Sequence, residues 1–282
     1  MLKKFGLPGI TVGLLSILLS LSIATAAMSI PTGDLNLWLK SDAGATLSGS
    51  SVSRWANQAG SGSDAEQTVA ANQPELVANA INGLSAVNFD GTDDFLTFTL
   101  PINGLTGMTI FLVSAAAQDV EPPFPYCQNA AIFWNESGSW GTVHVTPLQK
   151  VVWIRFGTGK TQTLPVKFDF PAAKVNEFTI TTAMMDGVQD YLYIDGELVL
   201  ENTKPNGELG NNRDIANIGR GYNDDTYFPG MIAEVLVYTR TLPDAERQEV
   251  EAYLNSKYFE PPTAVSPLDK IAASWAEIKV TP

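Results

Sequence analysis

The chain has 282 residues, a formal net charge of −13 and a single cysteine. So acidic a surface repels phosphate backbones, which argues against nucleic acid as a partner. One thiol makes no internal disulfide, so a folded form must be held by its core alone.

The opening reads as a secretory signal. Lys3 and Lys4 give a basic start, residues 9–24 form an uncharged apolar stretch, and Ala24-Thr25-Ala26 supplies the small residues of a cleavage site. The stretch is shorter than the ~20 residues of a membrane-spanning helix, so cleavage near Ala26 or Ala27 is expected rather than anchoring. The mature protein is then secreted, extracellular or periplasmic, and not integral to the membrane.

The body is written in short β-segments punctuated by Gly, Asn, Asp and Pro. Residues 35–39 alternate apolar and polar positions and predict a half-buried strand. Strands are expected at 87–89 and 95–100, flanking the turn Asp90-Gly91-Thr92-Asp93-Asp94. The continuous apolar run 108–115 predicts a strand covered on both faces. Further strands are expected at 130–134, 140–145, 151–156, 164–170 and 177–184. Residues 191–194 and 198–200 flank Asp195-Gly196, a dipeptide suited to a primed hairpin turn. Residues 231–238 form the last strong strand. A single helix is expected from Pro243, with acids in its first turn, apolar Ala245, Val250, Tyr253 and Leu254 near one face, and Glu249 and Glu251 turned away. Pro261 and Pro262 end it. The pattern predicts an all-β, antiparallel β-sandwich of jelly-roll type with one short C-terminal helix. It divides the chain into a signal (1–26), the sandwich (27–259) and a linker with a short tail (260–282), which docks on the body or meets a partner.

Several of these segments resemble a known family. Asn36-Leu37-Trp38-Leu39-Lys40-Ser41-Asp42 and Val52-Ser53-Arg54-Trp55-Ala56-Asn57-Gln58 are similar to the opening of bacterial laminin-G-like jelly rolls in the concanavalin A-like lectin/glucanase superfamily. Residues 87–96, the hairpin Tyr193-Ile194-Asp195-Gly196-Glu197, and the ending from Phe228 through Arg247 to Leu254 resemble later motifs of the same family. The resemblance covers roughly residues 34 to 258. It implies a fold more than a function, because that superfamily includes lectins, glycanases, adhesion modules and structural domains.

Catalytic constellations are missing from the sequence. Glycanases of this fold pair carboxylates in a Glu-x-Asp-x-x-Glu pattern, and no Glu here is followed two places later by Asp. The nearest cluster, Asp195, Glu197 and Glu201, straddles a hairpin. His144 is the only histidine, without a Gly-x-Ser-x-Gly elbow and with too few His or Cys for zinc. Residues 135–139 read as a turn, and Gly157-Thr158-Gly159-Lys160-Thr161 as a hairpin turn rather than a phosphate loop. Glu234, set in an apolar strand, calls for a buried partner, with Arg220 or Arg240 as candidates. Asp93 is expected to bond backbone groups in its turn.

Binding is the reading that remains. Tyr222, Asn223 and Tyr227 form a rim loop with the aromatic and amide groups that sugar recognition uses, and Trp134, Trp140 and Trp153 fall on adjacent middle strands. Asp224 and Asp225, or Asp93 and Asp94, are candidate calcium ligands, as the family resemblance also implies; no cofactor is required otherwise. The sequence therefore predicts an exported, non-catalytic module binding glycan or an extracellular protein or surface. The alternatives are an adhesive or structural domain and a divergent carbohydrate-active enzyme.

Overall fold

A computed structural model describes residues 29–118, 128–160, 164–202 and 207–261. The segment expected to be a signal, Cys127 and the tail beyond residue 261 lie outside the described residues. The strands run in chain order as β1 Leu35–Lys40, β2 Ala45–Ser48, β3 Ser51–Trp55, β4 Ala65–Glu66, β5 Glu75–Ile81, β6 Leu84–Asp90, β7 Leu96–Thr99 and β8 Met108–Ala116. They continue as β9 Ile132–Glu136, β10 Val143–Pro147, β11 Val151–Phe156, β12 Val166–Asp169, β13 Thr179–Met185, β14 Asp190–Ile194, β15 Glu197–Asn202, β16 Asn212–Ile218 and β17 Pro229–Tyr238, followed by the helix α1 Asp244–Tyr258.

Every strand pairing is antiparallel, and the pairings sort the strands into two layers. In the back layer β17 pairs on one side with β1 and β6 end to end, and on the other with β8, after which come β13, β14 and β15. In the front layer the order is β4, β7, β16, β9, β10, β11 and β12. Strand β3 joins the layers at one edge by pairing with both β4 and β5. The jelly-roll sandwich with one helix is therefore what the chain builds.

Alternation explains how one strand serves two cores. On β8, Ile110 and Leu112 face the core between the sheets, while Phe111 and Val113 face outward beneath α1 with Leu236, Tyr238, Val250, Leu254 and Tyr258. That is why the run reads as continuously apolar. The Asp195-Gly196 turn has φ of 52° and 84°, as a primed hairpin requires.

A bulge on β17 shifts the register between Ile232 and Glu234, so that Ala233 and Glu234 both fall on the outer side. Glu234 is fully buried there, and its partners are neither Arg220 nor Arg240. It accepts hydrogen bonds from Trp38 Nε1 at 2.6 Å, Tyr253 Oη at 3.0 Å and Tyr258 Oη at 2.7 Å, and pairs with Lys257 Nζ at 2.7 Å. Lys257, on the last turn of α1, reached inward where the sequence offered no reason to choose it. The helix face also differs from expectation. Ala245 is exposed, and Glu251 is buried, bonded to Arg247 and to Thr182 Oγ1.

Among the described residues, no helix is long and apolar enough to cross a membrane.

Candidate functional site

A polar concavity lies at one end of the front sheet. Residues 135–139, at the end of β9, face the loop after β16 across a pocket of about 400 Å³, also lined by Arg213, Tyr222, Asn223 and Asp224. The sequence read 135–139 as a mere turn; the fold brings it against the predicted Tyr222 loop because β9 and β16 are neighbours.

The two loops are tied together. Tyr222 Oη donates to Glu136 Oε1 at 3.2 Å, and Glu136 Oε2 accepts the Trp140 amide at 3.0 Å. Trp140 is 41% exposed with φ of 66°, a conformation that costs a bulky residue on the order of 1–2 kcal/mol and must be imposed by its surroundings. The surroundings are the 157–160 segment and Asn211. The Trp140 carbonyl accepts the Gly159 amide at 3.2 Å, and Asn211 Nδ2 donates to the carbonyls of Ser139 and Gly159, each at 3.2 Å. The glycine-rich segment is thus a brace for the site.

Gly141 is the tightest point of that brace. A Cβ there would sit 2.0 Å from the Asn211 carbonyl oxygen. Gly141→Ala is therefore expected to cost about 1–3 kcal/mol, read as a lower melting temperature, with the Trp140 turn displaced.

The other tryptophans stand elsewhere. Trp134 is fully buried between the sheets, edge-on to Phe98 at 5.3 Å, with Nε1 donating to the Leu100 carbonyl at 3.0 Å. It cannot line an open face, because its even-numbered position on β9 points to the core. Trp153 is half-buried on β11 with Lys167 Nζ 5.5 Å from its ring. Trp140 precedes β10 rather than belonging to it, since Val143 is the first paired residue.

On the rim loop, Asn223 and Asp224 both have left-handed φ and are exposed. Asp224 lies 3.6 Å from the guanidinium groups of both Arg213 and Arg220. Two cations against one carboxylate are the opposite of a calcium site. Tyr227 packs 6.4 Å from Phe95, and its Oη lies 3.5 Å from the Asp224 carbonyl.

Asp93 and Asp94 form an acidic group in the turn after β6. Together with Asp90, their carboxylate oxygens lie within 4.8 Å of one another. The turn already uses these acceptors. Asp90 Oδ1 receives the amides of Thr92 at 2.7 Å and Asp93 at 3.3 Å, and Asp94 Oδ2 receives that of Asp90 at 3.0 Å. The side chains of Asp90 and Asp94 do the stitching expected of Asp93, whose carbonyl instead accepts Asn72 Nδ2. Burial, opposed by that backbone bond and assisted by the neighbouring charges of Asp90 and Asp93, pushes the Asp94 carboxyl up to about 6. Three carboxylates supply part of the oxygen set that Ca²⁺ takes, and among the described residues no histidine, cysteine or further carboxylate joins the group.

His144 is fully buried on β10, its Nδ1 3.0 Å from Thr146 Oγ1, opposite Arg155 of β11. Burial and the Arg155 charge lower it to about 3, so it is neutral at physiological pH. It lies in the sheet and not in the pocket.

Residues 127–246 match the profile of the concanavalin A-like lectin/glucanases superfamily. No curated protein sequence matches the chain. Among solved structures, the chain is similar to the ligand-binding domain of botulinum neurotoxin serotype D in complex with N-acetylneuraminic acid, at a TM-score of 0.58 and 13% identity over 80% of this chain and 52% of that one. It is also similar to a Trypanosoma rangeli sialidase in complex with sialic acid, at a TM-score of 0.55 and 14% identity over 82% of this chain and 35% of the sialidase. The chain thus spans about half the toxin domain and about a third of the sialidase. Identity this low speaks for the fold alone.

Proposed function

We propose that this chain, whose residues 127–246 match the concanavalin A-like lectin/glucanases superfamily, is an exported, non-catalytic module that recognises carbohydrate at the pocket between residues 135–139 and 222–224, with Trp140 at its edge. The observation that carries this reading is Trp140. An exposed tryptophan in a costly backbone conformation, fixed by Glu136 and next to a polar pocket, has the form of a preorganised platform. An indole face stacks on pyranose C–H groups while Glu136, Asn223 and the serines accept and donate to hydroxyls. The sugar complexes of the toxin domain and the sialidase lend the reading support at the level of fold.

One observation favours a second reading, a divergent carbohydrate-active enzyme: Glu136 and Asp224 line the same pocket. Against it, a general acid on this fold needs a carboxyl in apolar surroundings. Here Asp224 is exposed between arginines, and Glu136 is engaged by Trp140 and Tyr222.

A glycan array of the mature protein tests the proposal. Trp140→Ala is expected to weaken the best ligand by about 1–3 kcal/mol, roughly ten- to hundredfold, at unchanged melting temperature. Undiminished affinity would remove Trp140 from the site. Hydrolysis of the bound glycan, abolished by Glu136→Gln, would transfer the site to the enzyme reading.

A further inference from the structure

The described chain ends beside a groove on the back of the sandwich, away from the candidate sugar pocket. Asn82 and Leu84 at the junction of β5 and β6, Ser256 and Lys257 of α1, and Pro261 itself line a cavity of about 340 Å³. The exit is pinned by hydrogen bonds. Asn82 Nδ2 donates to the carbonyls of Lys257 at 3.1 Å and Glu260 at 2.7 Å, and the amides of Phe259 and Glu260 reach the Asn255 carbonyl at 2.9 and 3.1 Å. Whatever follows Pro261 therefore starts from the groove's own wall.

The groove borders an apolar strip on the outer face of β5, β6 and β17. Ala86 is fully buried there, but its cross-strand partner Val77, Leu84 two places before it, and Met231 opposite Asn88 are only half-buried. Leu84 and Met231 pack against the cluster beneath α1, so the strip carries that core past the end of the helix. Phe259, just after α1, is 39% exposed. From Leu84 to Asn88 the strip runs about 13 Å along β6.

The sequence after Pro261 has the complementary pattern. Leu268, Ile271, Trp275 and Ile278 recur at the spacing of one helical face, and residues 268–278 in that form are about 16 Å long. A segment this short needs a surface to hold it. Lys270 and Lys279 offset Asp269 and Glu277, so it is not repelled by a chain of net charge −13. Only residues 262–267 separate it from the groove, and so short a tether gives an effective concentration on the order of millimolar. No separate partner has that advantage.

We propose that the groove and the strip of Val77, Leu84 and Met231 seat the chain's own residues 268–278, folded back over the outer face of β5 and β6, rather than a second copy or another protein. The proposal is independent of the carbohydrate reading.

Amide hydrogen exchange of the mature chain, read on peptides covering 262–282, tests it. Exchange over 268–278 is expected to be slowed about tenfold or more relative to the same peptide free in solution, and equally so after dilution of the protein by about a hundredfold. Leu84→Glu and Met231→Glu place a charge in the seat and are expected to restore peptide-like exchange. Trp275→Ser is expected to do the same without altering any described residue, and it serves where a glutamate variant fails to fold. Exchange that is not slowed overturns the proposal. Slowing that fades on dilution assigns the seat to a second copy and overturns it too. Slowing that survives Trp275→Ser, or survives both glutamate variants at unchanged melting temperature, removes the segment from this surface.

Discussion

Glu234→Ala is expected to lower stability by about 3–5 kcal/mol, the cost typical of removing one partner from a buried ion pair. The carboxylate is fully buried and serves four groups at once: Trp38 on β1, Tyr253, Lys257 and Tyr258 on α1. Its loss strands Lys257 Nζ, whose side chain is only 15% exposed and whose other carboxylate, Asp42 at 2.8 Å, lies toward the surface. For a domain of this size the shift corresponds to roughly 10 °C in melting temperature. The pair gives a second readout. Glu234→Leu combined with Lys257→Met leaves no fully buried charge uncompensated, Asp42 keeping its contact with solvent, so it is expected to cost less than Glu234→Ala alone. Urea unfolding of the variants checks both, and a double variant less stable than the single one would show that the network is not centred on this pair. The consequence for the fold is that α1 is locked to the sheet by a polar centre within its apolar face, which fixes its rotation as hydrophobic contact alone would not.

Most of the sandwich was legible because its core strands carry a clear pattern. Residues 35–40, 108–116, 151–156 and 229–238 show alternation or a continuous apolar run, and each forms a strand close to the expected limits. The strand that organises the site was not legible. On β16 only Ala216 and Ile218 join the core, while Arg213, Asp214 and Ile215 are exposed, so Asn212-Arg213-Asp214-Ile215 reads as a polar loop. Without β16 there was no way to know that residues 135–139 and 222–224 meet. Composition singled out Tyr222, Asn223 and Trp140, which the fold places in or beside the pocket, since exposed aromatics and amides in turns are visible as residue types. It misjudged Trp134 because indole signals burial and binding alike, and only the parity of β9 separates the two. Glu136 gave no signal of its own: its role depends on Trp140 and Tyr222 being in reach, a property of the tertiary structure.

The acid limb of stability is expected to be set by two groups acting in opposite directions. His144 is lowered to about 3 by burial and the Arg155 charge, whereas in the unfolded chain it titrates near ~6.5. Between those values the unfolded state binds a proton that the folded state refuses. Its contribution is thus complete above about pH 6.5 and is lost as pH falls toward about 3, at up to ~1.4 kcal/mol per pH unit. Asp94, raised to about 6 by burial, holds a proton that the unfolded chain releases, so acidification through 6 toward ~4 adds stability. Asp195 and Glu251, also raised by burial, act in the same sense as Asp94. Between pH 6 and 4 the intact protein is therefore expected to lose less stability than His144 alone would impose. The variants separate the two. His144→Gln is expected to remove the loss, leaving a protein whose urea midpoint rises as pH falls from 6 to 4. Asp94→Asn is expected to steepen the decline over the same interval. Midpoints measured from pH 7 to 4 for the three proteins decide the matter, and parallel curves would mean that neither side chain is as buried from charge as its surroundings in the sheet and the turn require.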